Sequence, residues 1–248
     1  MTRSIVLIHA VRSSRTMWKG QIKRLRRAGY HVDAPNLPGH GTRAGERFDA
    51  DSALATISAA VDACPEPPVL VGLSLGGFLS IRWAAENPGR IAALIPAGCT
   101  FVPGPAIARA YGIWMLAKDW APGDSDARVR AAFARTARKR KAASRYYGGG
   151  RAHGVVRSVV RLIGGFDLLG DLARIDVPIT FVNGRDDPFR RHENRCLAAA
   201  RDANLRILDD AGHIANLDRP KRFTRVIMET AQGADAAAPE LTSPGGRP

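Results

Sequence analysis

Val69-Leu70-Val71-Gly72-Leu73-Ser74-Leu75-Gly76-Gly77-Phe78-Leu79 is the stretch on which the fold turns. A short apolar run, Val69-Leu70-Val71, leads without a polar break into Gly72-Leu73-Ser74-Leu75-Gly76, and residues 75–86 then have helical length and patterning. A brief apolar run bounded by glycine reads as a strand buried on both faces. A G-x-S-x-G string is by itself a weak signal, and its place between a strand and a helix is what strengthens it. In that setting the sharp turn forces the central serine into a strained conformation, so that Oγ stands clear of the sheet. Small flanking residues let strand and helix pass closely, and the helix N-terminus favours negative charge nearby.

Working outward, Ile5-Val6-Leu7-Ile8, Ile91 to Ile95 and Ile179 to Val182 are further strands of the same buried kind, with Tyr30 to Ala34 and Leu205 to Leu208 as weaker ones. Helical patterns fall at residues 18–28, 50–63, 75–86, 190–203 and 217–231. Repeated β–α units predict an α/β fold: a doubly wound, mostly parallel sheet of about six strands with helices on both faces. Functional groups are then expected beyond the carboxyl ends of the strands.

The alternation breaks between Thr100 and about Gly165, where Ile107, Tyr111 and Trp114, and again Val155, Val156, Val159, Val160 and Ile163, recur at helical spacing. Ser125 is placed to cap a helix running to about Arg145, and Gly148-Gly149-Gly150 reads as a hinge. The expected organisation is a core of residues 1–100 and 166–232, a helical cap inserted at 101–165, and a disordered tail at 233–248, rich in Ala, Pro and Gly.

With 248 residues, 45% hydrophobic and 24% charged, the chain is long enough to bury a substantial core and has ordinary globular composition. No run approaches the roughly 18 apolar residues of a membrane span, and the N-terminus reads as a strand rather than a signal peptide. Cys64, Cys99 and Cys196 are too few and too scattered for a disulfide framework or a metal site, so a cytoplasmic setting and no metal are expected. The charge is unusual, at +14. Seven Lys/Arg and no acid occupy residues 12–27, and thirteen Lys/Arg face only Asp119, Asp124 and Asp126 across 101–161. Such a balance admits acidic partners, although it also suits a solvated, highly soluble surface.

A serine hydroxyl needs a base to become a nucleophile. Of six histidines, His213 follows the last strand candidate and precedes a helix, which puts it at the same sheet edge as Ser74. His9 ends the first strand at that edge, and His40 sits in the turn Pro38-Gly39-His40-Gly41. The base in turn needs an orienting carboxylate. Asn183-Gly184-Arg185-Asp186-Asp187-Pro188 follows the fifth strand, and either aspartate could serve. Serine, aspartate and histidine in that chain order match a Ser-acid-His arrangement on this architecture.

From Ser4 to Thr230 the chain resembles the α/β-hydrolase superfamily. The likeness rests on the elbow at Ser74, the G-x-x-D turn Gly184 to Asp187, Gly212-His213 with Asp218 and Pro220 behind it, and Leu37-Pro38-Gly39-His40-Gly41. The resemblance implies a strand order of 2-1-3-4-5-6, Asp187 as the acid, no cofactor, and a variable helical cap where residues 101–165 lie. It also places the oxyanion hole at the N–H groups of Val11 and Leu75. The family usually carries His-Gly where this chain has His9-Ala10. The extra Cβ predicts a displaced loop, at a cost of about 10²–10³ in rate. Asn36 stands where an aspartate is common.

The expected activity is hydrolysis of a carboxylic ester, with Ser74 as nucleophile, His213 as base and Asp187 as its orienter. Trp18, Phe101, Tyr111, Trp114 and Met115 are candidates to line an acyl pocket. The alternative is a thioesterase drawing an acidic acyl-carrier protein or a coenzyme A thioester to the basic cap. The fold also hosts lyases and cyclases. A basic binding protein is less consistent with three aligned chemical groups, and no pattern for specific nucleic-acid recognition is present.

Overall fold

The computed structural model describes residues 3–104, 140–150, 152 and 154–236. Six parallel strands form one sheet in the order 2-1-3-4-5-6. They are β1 (Ile5–Ile8), β2 (Val32–Asp33), β3 (Val69–Leu73), β4 (Ala93–Ala97), β5 (Ile179–Gly184) and β6 (Ala203–Leu208). The helices are α1 (Lys19–Arg27), α2 (Ala50–Asp62), α3 (Leu75–Glu86), α4 (Arg140–Tyr146), α5 (Val156–Gly164), α6 (Leu168–Arg174), α7 (Glu193–Ala199), α8 (Ala215–Asp218) and α9 (Pro220–Ala236).

Alternate residues of each strand point to opposite faces, and two apolar layers result. Ile5, Leu7, Val69, Val71 and Ile95 pack with Trp18 and Leu25 near and within α1, and with Phe223 and Ile227 of α9. Val6, Ile8, Leu70, Leu94 and Phe181 pack with residues of α2, α3, α6 and α7. This two-sided burial is why the strands of the sequence are apolar without alternation. α3 lies deepest, with Leu75 through Ile81 all buried. Its outer edge is pinned to α6, where Arg82 Nε lies 3.0 Å from Asp171 Oδ2 at an angle that makes an ion pair rather than a hydrogen bond. Arg174 closes the other side of that carboxylate at 2.6 Å. Burial raises the Asp171 pKa despite both arginines.

Several element boundaries differ from expectation. β4 runs from Ala93 to Ala97 rather than from Ile91 to Ile95, and the expected strand at Tyr30 to Ala34 keeps only two paired residues, Val32–Asp33. The single helix expected at 217–231 is two, because Pro220 opens a new first turn. That second helix runs to Ala236, so the first four residues of the expected tail are helical. α6 has no counterpart among the helical patterns named above; Asp167 caps it by accepting from Gly170 N at 3.0 Å. Of the helices expected between β4 and β5, the described residues include α4 and α5. Ile107, Tyr111, Trp114, Met115 and Ser125 lie outside the described residues.

Asp171→Ala is expected to destabilise the protein by about 2 kcal/mol, because it removes the buried carboxylate that Arg82 and Arg174 share and leaves Arg82 paired, among the described residues, only with the exposed Glu86 at 3.4 Å. Urea denaturation of the two proteins checks this.

Candidate active site

β3 delivers Ser74 directly into the first turn of α3. Ser74 sits at φ 55°, ψ −114°, a conformation that non-glycine residues rarely adopt. Two hydrogen bonds and two close backbone approaches hold it there. Its N–H donates to the Ala97 carbonyl at the end of β4 at 2.8 Å, and its carbonyl accepts from Phe78 N at 3.0 Å. A Cβ on Gly72 would strike the Gly76 carbonyl, and one on Gly76 would strike the Ile8 carbonyl. Glycine at both positions is therefore a packing requirement of the turn.

His213 is carried past β6 by a turn in which Asp210 takes φ 53° and Asp218 Oδ2 accepts from Gly212 N at 2.9 Å. Its Nε2 lies 3.0 Å from Ser74 Oγ, and its Nδ1 lies 3.1 Å from each carboxylate oxygen of Asp187. The Asp187 side chain is fully buried and accepts from Phe189 N at 2.9 Å, whereas Asp186 is exposed. Geometry thus distinguishes two aspartates that the spacing alone left open. Gly98, at φ 59°, lies beneath the pair: a Cβ there would stand 3.2 Å from the imidazole and 3.3 Å from Asp187 Oδ2. The Phe189 ring, 4.7 Å from the His213 ring, closes another side.

A polar support that the sequence reading missed is Asn183, buried at the end of β5. Its Oδ1 accepts from Gly98 N at 3.1 Å, and its Nδ2 donates to Thr100 Oγ1 and Glu193 Oε1, both at 2.7 Å. It ties the loop after β4 to the loop that carries Asp187. Burial alone would raise the Glu193 pKa, but hydrogen bonds from Arg190 and Asn183 outweigh it and hold the carboxyl below its ordinary range. An asparagine ending an otherwise apolar strand was the available signal.

Val11 and Leu75 border the same cavity as Ser74 and His213. Ala10 is not the residue that takes a left-handed backbone in the loop bearing Val11. Among the described non-glycine residues, positive φ occurs only at Arg12, Ser74 and Asp210. Ala10 therefore needs none of glycine's freedom, and the left-handed residue of this loop is Arg12, at φ 60°. His9 fixes the Ala10–Val11 peptide: its Nδ1 donates to the Ala10 carbonyl at 2.9 Å while its Nε2 accepts from Leu37 N at 3.0 Å. A trans peptide points N–H and C=O in opposite directions, so anchoring the Ala10 oxygen also aims the Val11 N–H. Burial, with His40 at 4.9 Å, lowers the His9 pKa to about 3 and keeps the neutral tautomer that makes both bonds. Asn36 is a strut of the neighbouring loop, accepting from Arg15 N and donating to Thr42 Oγ1, both at 2.9 Å.

The cavity has a volume of about 110 Å³ and is almost wholly apolar. Its described lining includes Phe78, Phe101, Val159, Val160, Ile163 and Phe189. Phe101 is where the sequence put it, and α5 supplies one wall. Trp18 is not a lining residue: it is fully buried in the layer around α1 and α9, 5.8 Å from the Phe223 ring. Among the described residues no group of three or more His, Cys, Asp and Glu side chains is placed to hold a metal ion, and no helix is long and apolar enough to cross a membrane.

Residues 5–226 match the profile of the alpha/beta hydrolase family. The chain belongs to that family. It is accordingly an enzyme of hydrolase type. Over 249 aligned positions it is 27% identical to the pimeloyl-[acyl-carrier protein] methyl ester esterase of Aromatoleum aromaticum, covering 92% of this chain and 98% of that one. A carboxylesterase structure from Nitrososphaera gargenis superposes with TM-score 0.78 at 16% identity, over 96% of this chain and 92% of the other. A thermophilic esterase from Thermogutta terrifontis does so with TM-score 0.74 at 20% identity, over 94% and 90%. At those identities the two structures speak for the fold alone.

His9 also sets a pH dependence. Unfolded, it binds a proton below about pH 6.5; folded, it stays neutral down to about 3. The unfolded state holds more protons between those values, so stability falls as pH falls, by up to about 1.4 kcal/mol per pH unit. His40, whose pKa is also lowered by burial, acts in the same direction. Urea midpoints should drop from pH 7 to pH 5. Equal midpoints would show that His9 is not a buried neutral group.

Proposed function

We propose that this hydrolase cleaves a carboxylic ester through an acyl-enzyme at Ser74. The observation that carries the reading is the continuous line from Ser74 Oγ through His213 to the buried Asp187, opening onto an apolar cavity. Ser74 Oγ attacks the acyl carbonyl as His213 Nε2 takes the hydroxyl proton, and the Asp187 carboxylate holds the imidazole and balances its positive charge. The N–H groups of Val11 and Leu75 receive the oxyanion; Leu75 opens α3, where a backbone N–H lacks an intrahelical acceptor. Collapse of the tetrahedral species breaks the bond to the alkoxide, which leaves with the proton from His213. Water then attacks the acyl-enzyme, His213 takes one of its protons, and Ser74 and the carboxylic acid are released.

The cavity constrains the substrate. An apolar cavity of about 150 Å³ binds benzene, so about 110 Å³ suits a smaller group, such as an acyl chain of about two to four carbons. Among p-nitrophenyl esters, kcat/KM is expected to peak at acetate to butyrate and to fall at octanoate. A fluorophosphonate probe should label wild type once, at Ser74, and should leave Ser74→Ala unlabelled. Folded wild-type protein that takes no label would overturn the acyl-enzyme reading.

A second reading keeps this machinery and places the acyl group on an acidic carrier protein or coenzyme A, as an ester or thioester. The name of the Aromatoleum aromaticum relative points to a carrier-bound substrate, and so does a basic face. Lys19, Lys23 and Arg27 of α1 and Lys221 and Arg225 of α9 are exposed on two helices that pack together, with no acidic partner among the described residues. Arg24 and Arg145 meet over Gly20, where a Cβ would stand 3.3 Å and 3.1 Å from their guanidinium nitrogens. Such a face draws in anionic partners, and salt weakens it. On this reading kcat/KM for a carrier-bound substrate falls at least tenfold from 50 to 500 mM salt, while that for p-nitrophenyl acetate is unchanged. Equal salt dependence would remove the carrier.

A further inference from the structure

The chain between β4 and β5 does more than wall the cavity. At its C-terminal part, α4 and the turn after it lie against the loop that carries Val11. Three side-chain bonds cross between them. Tyr146 Oη donates to the Val11 carbonyl at 2.7 Å, Ser13 Oγ donates to the Tyr146 carbonyl at 2.8 Å, and Thr16 Oγ1 donates to the Arg145 carbonyl at 2.7 Å. A glycine that reads in sequence as part of a hinge makes this approach possible: a Cβ on Gly149 would strike Ser14 Oγ, while one on Gly148 would strike the Ser144 carbonyl of α4 itself.

The Val11 carbonyl belongs to the peptide that enters Arg12, the residue at φ 60°. A left-handed conformation costs a non-glycine residue about 1–2 kcal/mol, and a loop free to relax would leave it. On one side of Val11, His9 anchors the Ala10 oxygen; on the other, the Val11 oxygen is held by Tyr146. With both flanking peptides fixed, Val11 is held by its two ends, and its N–H keeps one direction. We infer that Tyr146 is a positioning residue of the oxyanion site: its hydroxyl holds the loop of residues 10–13 in the left-handed turn that aims the Val11 N–H alongside that of Leu75. The oxyanion site is then complete only while α4 is docked. This assignment rests on the acyl-transfer reading of Ser74.

Tyr146→Phe removes the hydroxyl and keeps the ring, which packs against Tyr147 with centroids 4.8 Å apart. For p-nitrophenyl acetate the expected result is a 10- to 100-fold lower kcat with KM within twofold. Affinity for a trifluoromethyl ketone, whose tetrahedral adduct at Ser74 carries an oxyanion, should fall by a similar factor. Affinity for the planar, unreactive amide of the same shape should stay constant. Thr16→Val, which cuts the bonds of Thr16 Oγ1 to the Arg145 carbonyl and to Ser14 Oγ but leaves the Tyr146 hydroxyl on Val11, should retain wild-type kcat. Wild-type kcat in Tyr146→Phe overturns the assignment. So does an equal loss of affinity for ketone and amide, or an equal loss of kcat in Thr16→Val, because each reduces Tyr146 to an anchor for α4. A wild-type protein that forms no ketone adduct overturns the acyl-transfer reading and this assignment with it.

Discussion

The left-handed backbone at Ser74 is the constraint around which the other loops are arranged. A serine at φ 55° is strained by about 1–3 kcal/mol and survives only if its surroundings over-determine it. They do so from several parts of the chain. β4 receives the Ser74 N–H at Ala97, β1 presses its last carbonyl against Gly76, and Cys99 packs beside Gly77. The buried face of α3 supplies the energy that holds the turn closed. Because these contacts come from the carboxyl ends of adjacent strands, the serine is locked to the sheet edge where the loops after β1, β5 and β6 also emerge. A hydroxyl raised clear of that edge meets His213 without any long excursion of either loop.

Buried polar side chains hold those loops in place. His9, Asn36 and Asn183 are buried and bonded on both sides, and each joins two segments remote in sequence. A buried amide or imidazole costs a few kcal/mol if any of its groups goes unpaired, which makes each of them selective for one arrangement. Asn183 shows how this reaches the chemistry. It fixes the N–H of Gly98, and Gly98 lies directly beneath the imidazole and carboxylate. The loop after β4 is thereby fixed against the His213–Asp187 pair, even though Asn183 bonds to neither residue.

The sheet was legible because burial on both faces writes nearly uninterrupted apolar runs at β1, β3, β4 and β5, and because the glycines flanking Ser74 fall between a strand and a helix. The strand order came from the family resemblance, whereas the nearness of Ser74 and His213 followed from their positions at one sheet edge. What could not be read was whatever depends on contacts across long sequence separations. The choice between Asp186 and Asp187 rested on resemblance until burial separated them. Trp18 looked like a pocket residue because its aromatic character is visible in sequence and its direction is not; it faces the opposite layer of the sheet. Asn183, Tyr146 and the capping of α6 by Asp167 make their bonds through local turns or distant partners that no periodicity marks. β2 shrank to two residues because an edge strand needs only enough pairing to meet β1.

Alanine at residue 10 fits the loop after β1 because the left-handed backbone of that loop lies elsewhere. Glycine would let that loop turn at residue 10; here the left-handed turn falls at Arg12, two residues later. The Ala10–Val11 peptide lies in ordinary backbone, where His9 bonds its carbonyl. The strain of this loop sits at Arg12. It becomes the burden of contacts around residues 11 to 13, and those come from α4 and the turn that follows it. A segment of the fold expected to vary freely with substrate is thus bonded, in this chain, to the loop that carries Val11. On the assignment of Tyr146 proposed above, changes in α4 that alter how it docks act on the chemical step as well as on substrate choice.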